Sequence, residues 1–467
     1  MRKWSIIACA ISLLLLLAIT LNVYNLTTDI VNRKPRSIAQ EYKYHFKKAP
    51  PPHFALWTEY ATELGCLTNP SEYAQIAKDL SPWFKSKDRR PFTNDSVSHI
   101  YKTNLVDFQD GVFHNMDEGN LRFILEPLTP LFAAHGKRFR FAVNAYDEPR
   151  MVPADKGFTG EYTSMADVFT NSGCLSKTYD TVVKDKKQKD GHHVLFGNNT
   201  ARSQHGFFLD PATFGVENAR VPVFSQAKVD CFADVLIPLN YHVALGYEDV
   251  VDVVSWEDKK SVLFWRGTTT GGSYKTGAPW KQYGRTRVMD WEKRWAANHA
   301  GSTFDAAYES PKLAKGVNVD IGFSGIVQAD LDSLAVINST YGLKGSVDFE
   351  QTKHFKYLLV LDGNTWPSRL QTYLQTNSVI LYNGIFTDFY NWKLVPWVHY
   401  VPVKLDFSDL DERLEWLMAH DEEAKKITQN AQKLMRQWSN MKQMQCYAGL
   451  ALLEYSLLYE DEGGGGK

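Results

Sequence analysis

The chain has 467 residues, 44% hydrophobic and 13% aromatic, enough to bury one large core or two medium ones, and its length favours two domains. A formal net charge of -1 gives no bulk attraction to nucleic acid or to an anionic membrane surface, so any bound anion must be held by locally placed cations. A nucleic-acid partner is therefore not expected.

Arg2 and Lys3 precede an uncharged run from Trp4 to Tyr24, about 20 residues, which is enough to cross a bilayer as one helix. A cleaved signal peptide is the competing reading, with Ala18-Ile19-Thr20 as its best cleavage site after the Leu13 to Leu17 block. The expected order is a cytoplasmic tail at 1–3, a transmembrane anchor at 4–24, and a polar stem at 25–56 broken by Pro50-Pro51-Pro52. Flanking charge does not orient the anchor, because Arg33, Lys34 and Arg36 follow it as Arg2 and Lys3 precede it. Outside it lie Cys66, Cys174, Cys231 and Cys446, an even number compatible with two disulfides. Sequons at Asn94-Asp95-Ser96, Asn198-Asn199-Thr200 and Asn338-Ser339-Thr340 sit in polar stretches that tolerate a glycan, whereas Asn25-Leu26-Thr27 is too near the membrane. Together they place everything after Tyr24 in the lumen of the secretory pathway.

The folded part is expected to begin near Trp57, without internal repeats, and to end before a flexible tail at 463–467 that contains Gly463 to Gly466. Short apolar runs alternate with helical stretches, the pattern of an α/β protein with mostly parallel sheets. The predicted strands are Phe139 to Asn144, Val262 to Trp265, Tyr357 to Leu361, Ser378 to Tyr382 and Val398 to Val403. From Leu410 onward the pattern is helical, with Leu414, Leu417, Ile427, Leu434 and Trp438 on the buried face. The two-domain division falls near residue 250.

Open α/β sheets bind ligands at the carboxyl ends of their strands, which selects three segments. In Asn144-Ala145-Tyr146-Asp147-Glu148-Pro149 a carboxylate stands just past a strand, where it can act as a general base or simply cap a turn. In Trp265-Arg266-Gly267-Thr268-Thr269-Thr270-Gly271-Gly272-Ser273, followed by Arg285-Thr286-Arg287, glycines, hydroxyls and guanidinium groups suit phosphate oxygens, with a plain glycine-rich loop as the alternative. This segment is neither a P-loop nor a GxGxxG fingerprint, which disfavours a nucleoside triphosphatase or a dehydrogenase. The third segment runs from Leu361-Asp362-Gly363 through Trp366-Pro367-Ser368-Arg369 to Pro396-Trp397-Val398-His399-Tyr400-Val401-Pro402-Val403. It sets Ser368 and Arg369 at a helix N-terminus, where free N–H groups favour a diphosphate, or where they merely form a cap and a surface arginine.

In order and wording these segments resemble glycosyltransferase family 90, over roughly residues 140 to 445, most specifically in Pro396 to Val403 followed by Asp409-Leu410. The resemblance implies a GT-B-like pair of Rossmann-type domains facing a cleft, an acceptor domain at 57–250 and a donor-binding domain at 251–462 with the terminal helices. It implies an inverting, metal-independent transfer from a UDP-sugar, xylose or glucose, to a glycan or glycoprotein, with no cofactor. It makes Asp147 the base and matches Arg266, Thr268, Ser368 and Arg369 to donor motifs; the segments themselves add Ser273, Arg287 and Gly363 as donor candidates, with Asp388. Departures lie at Thr269-Thr270-Gly271-Gly272, where animal members carry a Ser-Arg pair, and at Asp388, where they place Glu. With no Lys-Asp-Glu-Leu-type ending, a single-pass type II Golgi protein is expected. Asp330-Leu331-Asp332 has the letters of a metal-binding Asp-x-Asp but opens a helix, and reads as capping charge. Two alternatives stay open: a GT-A-like, metal-dependent transferase and a non-catalytic carbohydrate-binding member of the fold.

Overall fold

The computed structural model describes residues 36–85, 103–116, 120–136, 138–153, 161–172, 205–229, 232–239, 241–246, 250–298, 304–305, 310–311 and 317–458. The anchor expected at 4–24, the tail at 463–467, Cys174, Cys231 and the sequons at Asn94 and Asn198 lie outside the described residues. Among the described residues no helix is long and apolar enough to cross a membrane.

Two units share the chain, Met1–Pro50 with Asn69–Ser71, and Pro51–Thr68 with Glu72–Lys467. In the smaller, residues read above as stem form helix α1 (Ile38–Phe46). The Ser37 hydroxyl accepts from the Gln40 N–H while the Gln40 side chain accepts from the Ser37 N–H, a capping box that starts a helix in an otherwise polar stretch.

The larger unit opens with α2 (Phe54–Leu64) and α3 (Ala74–Lys85). A five-stranded sheet follows, built from β1 (Thr103–Gln109), β2 (Val112–His114), β3 (Phe139–Asn144), β4 (Val223–Ser225) and β5 (Val235–Leu236) in the order β2-β1-β3-β4-β5. Strand β1 runs antiparallel to both neighbours, and β3, β4 and β5 are parallel. Phe108 stands opposite Phe113 and Phe139 in the ladders, and its ring lies 4.7–5.7 Å from those of Phe113, Phe132 and Phe139, tilted on the first two and stacked on the third. Because β3, β4 and β5 run the same way, the turns after β3 and β4 emerge together at one edge of the sheet.

The second sheet is wholly parallel: β6 (Lys260–Thr268), β7 (Asn318–Gly325), β8 (Phe355–Leu361), β9 (Val379–Asn383) and β10 (Val401–Pro402), ordered β7-β6-β8-β9-β10. Every residue of β8 is buried, as a central strand covered on both faces requires. The direction of strand progression reverses between β6 and β8, the switch point at which such sheets open a crevice beyond their carboxyl ends. Helix α4 (Gly284–Asn298) follows β6, and α5 (Leu331–Tyr341) follows β7. The strand expected at Val398 to Val403 shrinks to β10, because Trp397 takes a left-handed backbone (φ 63°) and its N–H closes a turn onto the Tyr400 carbonyl. Strand β7 was not expected from the sequence, since Asn318, Asp320 and two glycines dilute its apolar run.

Three helices close the chain, α6 (Leu410–Ala419), α7 (Asp421–Trp438) and α8 (Met441–Ser456). Leu414, Leu417, Ile427 and Trp438 are buried as the periodicity requires, whereas Leu434 is half-buried and Met435 takes the inward place. Helix α8 returns to the first sheet. Tyr455 packs edge-on against Phe224 at 5.3 Å and Phe141 at 6.3 Å, and its hydroxyl donates to the Arg140 carbonyl. At the other end of α8 the Trp57 indole donates to the Cys446 carbonyl, and Cys446 is disulfide-bonded to Cys66 across a sequence separation of 380. That crosslink removes a very long loop from the unfolded ensemble. Replacing both Cys66 and Cys446 by Ser is expected to lower unfolding free energy by about 2–5 kcal/mol, read as an earlier midpoint in denaturant; an unchanged midpoint would show that the helix is held by packing alone.

Candidate active site

At the switch point, His205, Gly206, Thr270, Gly271, Gly284, Arg285, Leu361, Asp362, Gly363, Asn383 and Leu405 line a crevice. Its free volume is about 10 Å³, room for one water. It is this narrow because Gly206 lies on the loop after β6: a Cβ at 206 would sit 1.7 Å from the Gly271 carbonyl oxygen. Gly363 is constrained less severely, since a Cβ there would meet Arg285 Nη2 at 2.9 Å and Thr270 Oγ1 at 3.0 Å. The loop is held from the other side by Asn364, whose Oδ1 accepts from the Gly271 N–H at 2.9 Å.

Two guanidinium groups meet here. Arg285 donates from Nε to the Asp362 carbonyl at 3.0 Å and from Nη1 to the Thr268 carbonyl at 2.8 Å, bridging the ends of β8 and β6. Arg369 donates to the Arg266 carbonyl. Carbonyls two residues apart on a strand point the same way, so the two cations lie side by side on the β6 terminus. Burial, and then the Arg369 charge, lower the Arg285 pKa to about 10, so the group remains charged at neutral pH. Its Nη2 makes no hydrogen bond among the described residues. Asp362 does not neutralise the pair by direct contact: its Oδ2 accepts from the Ile385 N–H at 2.6 Å and faces His205 Nε2 at 3.3 Å. Because His205 Nδ1 accepts from the Phe207 N–H, the ring proton sits on Nε2, toward that carboxylate. Paired cations, a glycine-bared backbone and carboxyl-end strand termini make a site for a polyanion.

Asp147 stands past the carboxyl end of β3, half-buried, with its Oδ1 accepting from Gln226 Nε2 at 3.3 Å just beyond β4. Burial raises its pKa, partly offset by that hydrogen bond. The turn is rigid: Asn144 accepts from the Tyr146 N–H and donates to the Glu148 carbonyl, and fully buried Asp234 receives the N–H groups of Arg150 and Met151. Glu148 is buried, accepts from the Thr213 N–H, and burial pushes its pKa up to about 7, with the Asp147 charge adding to the rise. Asp147 is not among the residues lining the crevice. The segment 205–217 joins the two places: His205 and Gly206 line the crevice, the Asp210 carbonyl holds the Ser273 N–H, Thr213 holds Glu148, and the Gly215 carbonyl accepts from Arg150.

Of the residues expected at the donor site, Gly363 lines the crevice, Arg369 reaches its β6 wall, and Thr268 contributes its carbonyl to Arg285. Ser368 precedes the short helix Arg369–Tyr373 but its side chain makes no capping hydrogen bond. Four others are engaged elsewhere. Arg266 pairs with Asp320 at 2.8 Å and donates to the Lys344 carbonyl, so its guanidinium joins β6 to β7. Ser273 is tied to Asp210, and its carbonyl accepts from the Tyr283 hydroxyl. Arg287 lies two residues from Arg285 on α4, about 200° away around the helix, and does not line the crevice. Asp388 is fully buried, accepts from the Tyr390 and Asn391 N–H groups, faces His242 at 3.4 Å and does not line the crevice.

Sequence reasoning missed His205 and Asn364, and from the segment Arg285-Thr286-Arg287 it carried Arg287 rather than Arg285 into the donor site. A signal for Arg285 existed: it shares an inward stripe with Val288 and Met289 at i+3 and i+4. Asp330 caps α5, accepting from the Ser333 and Thr276 N–H groups, which hold its pKa far below the usual carboxylate range. Among the described residues no group of three or more His, Cys, Asp or Glu side chains is arranged to hold a metal ion.

Residues 244–462 match the sequence model of glycosyl transferase family 90. That stretch contains all the candidate donor residues and excludes Asp147. The chain is 39% identical over 100 residues to protein O-glucosyltransferase 2 of Danio rerio, covering 21% of this chain and 20% of that one. It is 24% identical over 245 residues to protein O-glucosyltransferase 1 of Homo sapiens, covering 50% and 57%. An uncharacterized protein, 179R of Invertebrate iridescent virus 6, is 25% identical over 289 residues, 53% of this chain and 23% of that one. The chain thus spans between about a fifth and somewhat more than half of the relatives it matches.

Glu148 supplies a test of this geometry. Its folded pKa, about 7, lies above the ordinary carboxyl value, so its contribution to stability is full below that ordinary value and is lost as pH rises through about 7. Glu148→Gln should flatten the fall in stability between the two, measured by denaturant unfolding at a series of pH values; an unchanged slope would show that the carboxyl is solvated.

Proposed function

We propose that the chain, whose residues 244–462 match the sequence model of glycosyl transferase family 90, transfers a sugar, glucose or xylose, from a UDP-sugar to a glycan or glycoprotein hydroxyl. The observation that carries this is the pair Arg285 and Arg369 on the β6 terminus, two cations with no carboxylate hydrogen-bonded to either among the described residues. A diphosphate supplies the missing charge. The names of the relatives, protein O-glucosyltransferases, support glucose and a protein acceptor.

In the proposed reaction the acceptor hydroxyl attacks the anomeric carbon from the face opposite UDP while its proton passes to the Asp147 carboxylate. The C1–O bond to the diphosphate breaks, and UDP leaves with the electron pair, inverting that centre. A base whose pKa is raised toward working pH is the more effective proton acceptor. Charge developing on the diphosphate falls on Arg285, Arg369 and the backbone around Gly271 and Gly363, fixed cations and dipoles that need no metal for this role. The crevice has room for about one water, so donor entry requires the segment carrying Gly206 to part from the loop carrying Gly271.

The proposed setting is the Golgi lumen, with the run 4–24 as a type II anchor. The Cys66–Cys446 disulfide supports an oxidising compartment.

Arg285→Lys keeps the charge and loses the planar fork. It should weaken UDP binding by about ten-fold or more, the equivalent of roughly 1.5–3 kcal/mol, in calorimetric titration of the folded variant. Asp147→Asn should leave UDP affinity unchanged and slow UDP release from the correct donor and acceptor by about 10²–10⁴-fold. Wild-type turnover in Asp147→Asn, or its loss in Glu148→Gln instead, would move the base by one residue. No turnover with any UDP-sugar in a panel, together with acceptor binding, would favour the non-catalytic reading.

A further inference from the structure

Helix α5 turns Ser333 and Ile337 inward and leaves apolar side chains in solvent. Leu331 is 84% exposed, Val336 47% and Leu334 40%, and Leu343 just beyond the helix is 50% exposed. Single exposed apolar residues are ordinary, but a cluster on one short helix marks a surface that something covers. Leu331, Leu334, Ala335 and Asn338 occupy positions i, i+3, i+4 and i+7, so they follow one line along the exposed face. Asn338 opens the sequon Asn338-Ser339-Thr340, is itself exposed, and its side-chain amide makes no hydrogen bond among the described residues.

We propose that Asn338 carries an N-linked glycan and that this glycan lies over the Leu331, Leu334 and Ala335 stripe. In the modification, Asn338 Nδ2 bonds to C1 of a lipid-diphosphate-linked oligosaccharide. The C1–O bond breaks, and the lipid diphosphate leaves with the electron pair while the amide gives up one proton. Sugar rings present C–H faces as well as hydroxyls, so one side can pack on leucine while the other faces water. The position suits it: Ser339 and Thr340 turn their hydroxyls onto the Val336 carbonyl, and the helix ends at Gly342, which leaves Asn338 open to solvent on the last turn. The inference rests on the lumenal placement proposed above.

The test uses the full chain expressed in cells with a secretory pathway. Wild type should run more slowly than Asn338→Gln by one glycan, and the two should converge after peptide N-glycosidase. Folded Asn338→Gln should bind several-fold more of an apolar fluorescent dye, and adding Leu331→Ser and Leu334→Ser should return binding to the wild-type level. Comigration of wild type and Asn338→Gln would overturn the modification; protease protection of the body of the chain in sealed microsomes would then decide lumenal placement independently. Faster migration with unchanged dye binding would overturn the covering role.

Discussion

The crevice depends on where the Arg285 guanidinium is held. It is buried, charged, and bound to the carbonyls of Thr268 and Asp362, so one side chain ties the carboxyl ends of β6 and β8 together across the switch point. Among the described residues its hydrogen bonds go to carbonyls, and the nearby Asp362 charge favours the cation without bonding to it, against the cost of burial. Arg369 beside it adds to that cost. Gly363 lies directly against the Arg285 charge, while Gly206 packs on the Gly271 carbonyl and Gly271, at φ 95°, on the Gly363 backbone, so three glycines let the chain close around the site.

The two sheets are joined by elements that ignore the division near residue 250. Helix α8 crosses back to the first sheet, and Thr387–Asp388 pairs antiparallel with Ala227–Lys228, next to Gln226, the hydrogen-bond partner of Asp147. Asp388 belongs to that bridge: its two accepted N–H bonds and the His242 contact hold the turn that carries the pairing. The carboxylate pair Asp147 and Glu148 is thus positioned by residues that also connect the halves.

Strand β3 is found at the residues expected, and β6, β8 and β9 within two or three residues of them, because buried parallel strands write continuous apolar runs into the sequence. Strand β7 escaped because an edge strand carries Asn318 and Asp320, the latter needed for Arg266. The loops of the site were legible as loops, through their glycines and the arginines around them. Which arginine faces the crevice was not, since Arg285 and Arg287 differ only in helical phase, and Arg266 alternates off the strand toward Asp320. His205 and Asn364 act through contacts distant in sequence, to Asp362 and Gly271, which no local pattern encodes.

The most direct measurement is a structure of the chain bound to UDP. The diphosphate is expected between Arg285 and Arg369, over the backbone of Thr270, Gly271 and Gly363, with the Gly206 segment moved away from Gly271. A diphosphate bound elsewhere, with both guanidinium groups still on the carbonyls of Arg266, Thr268 and Asp362 and the crevice closed, would contradict that expectation.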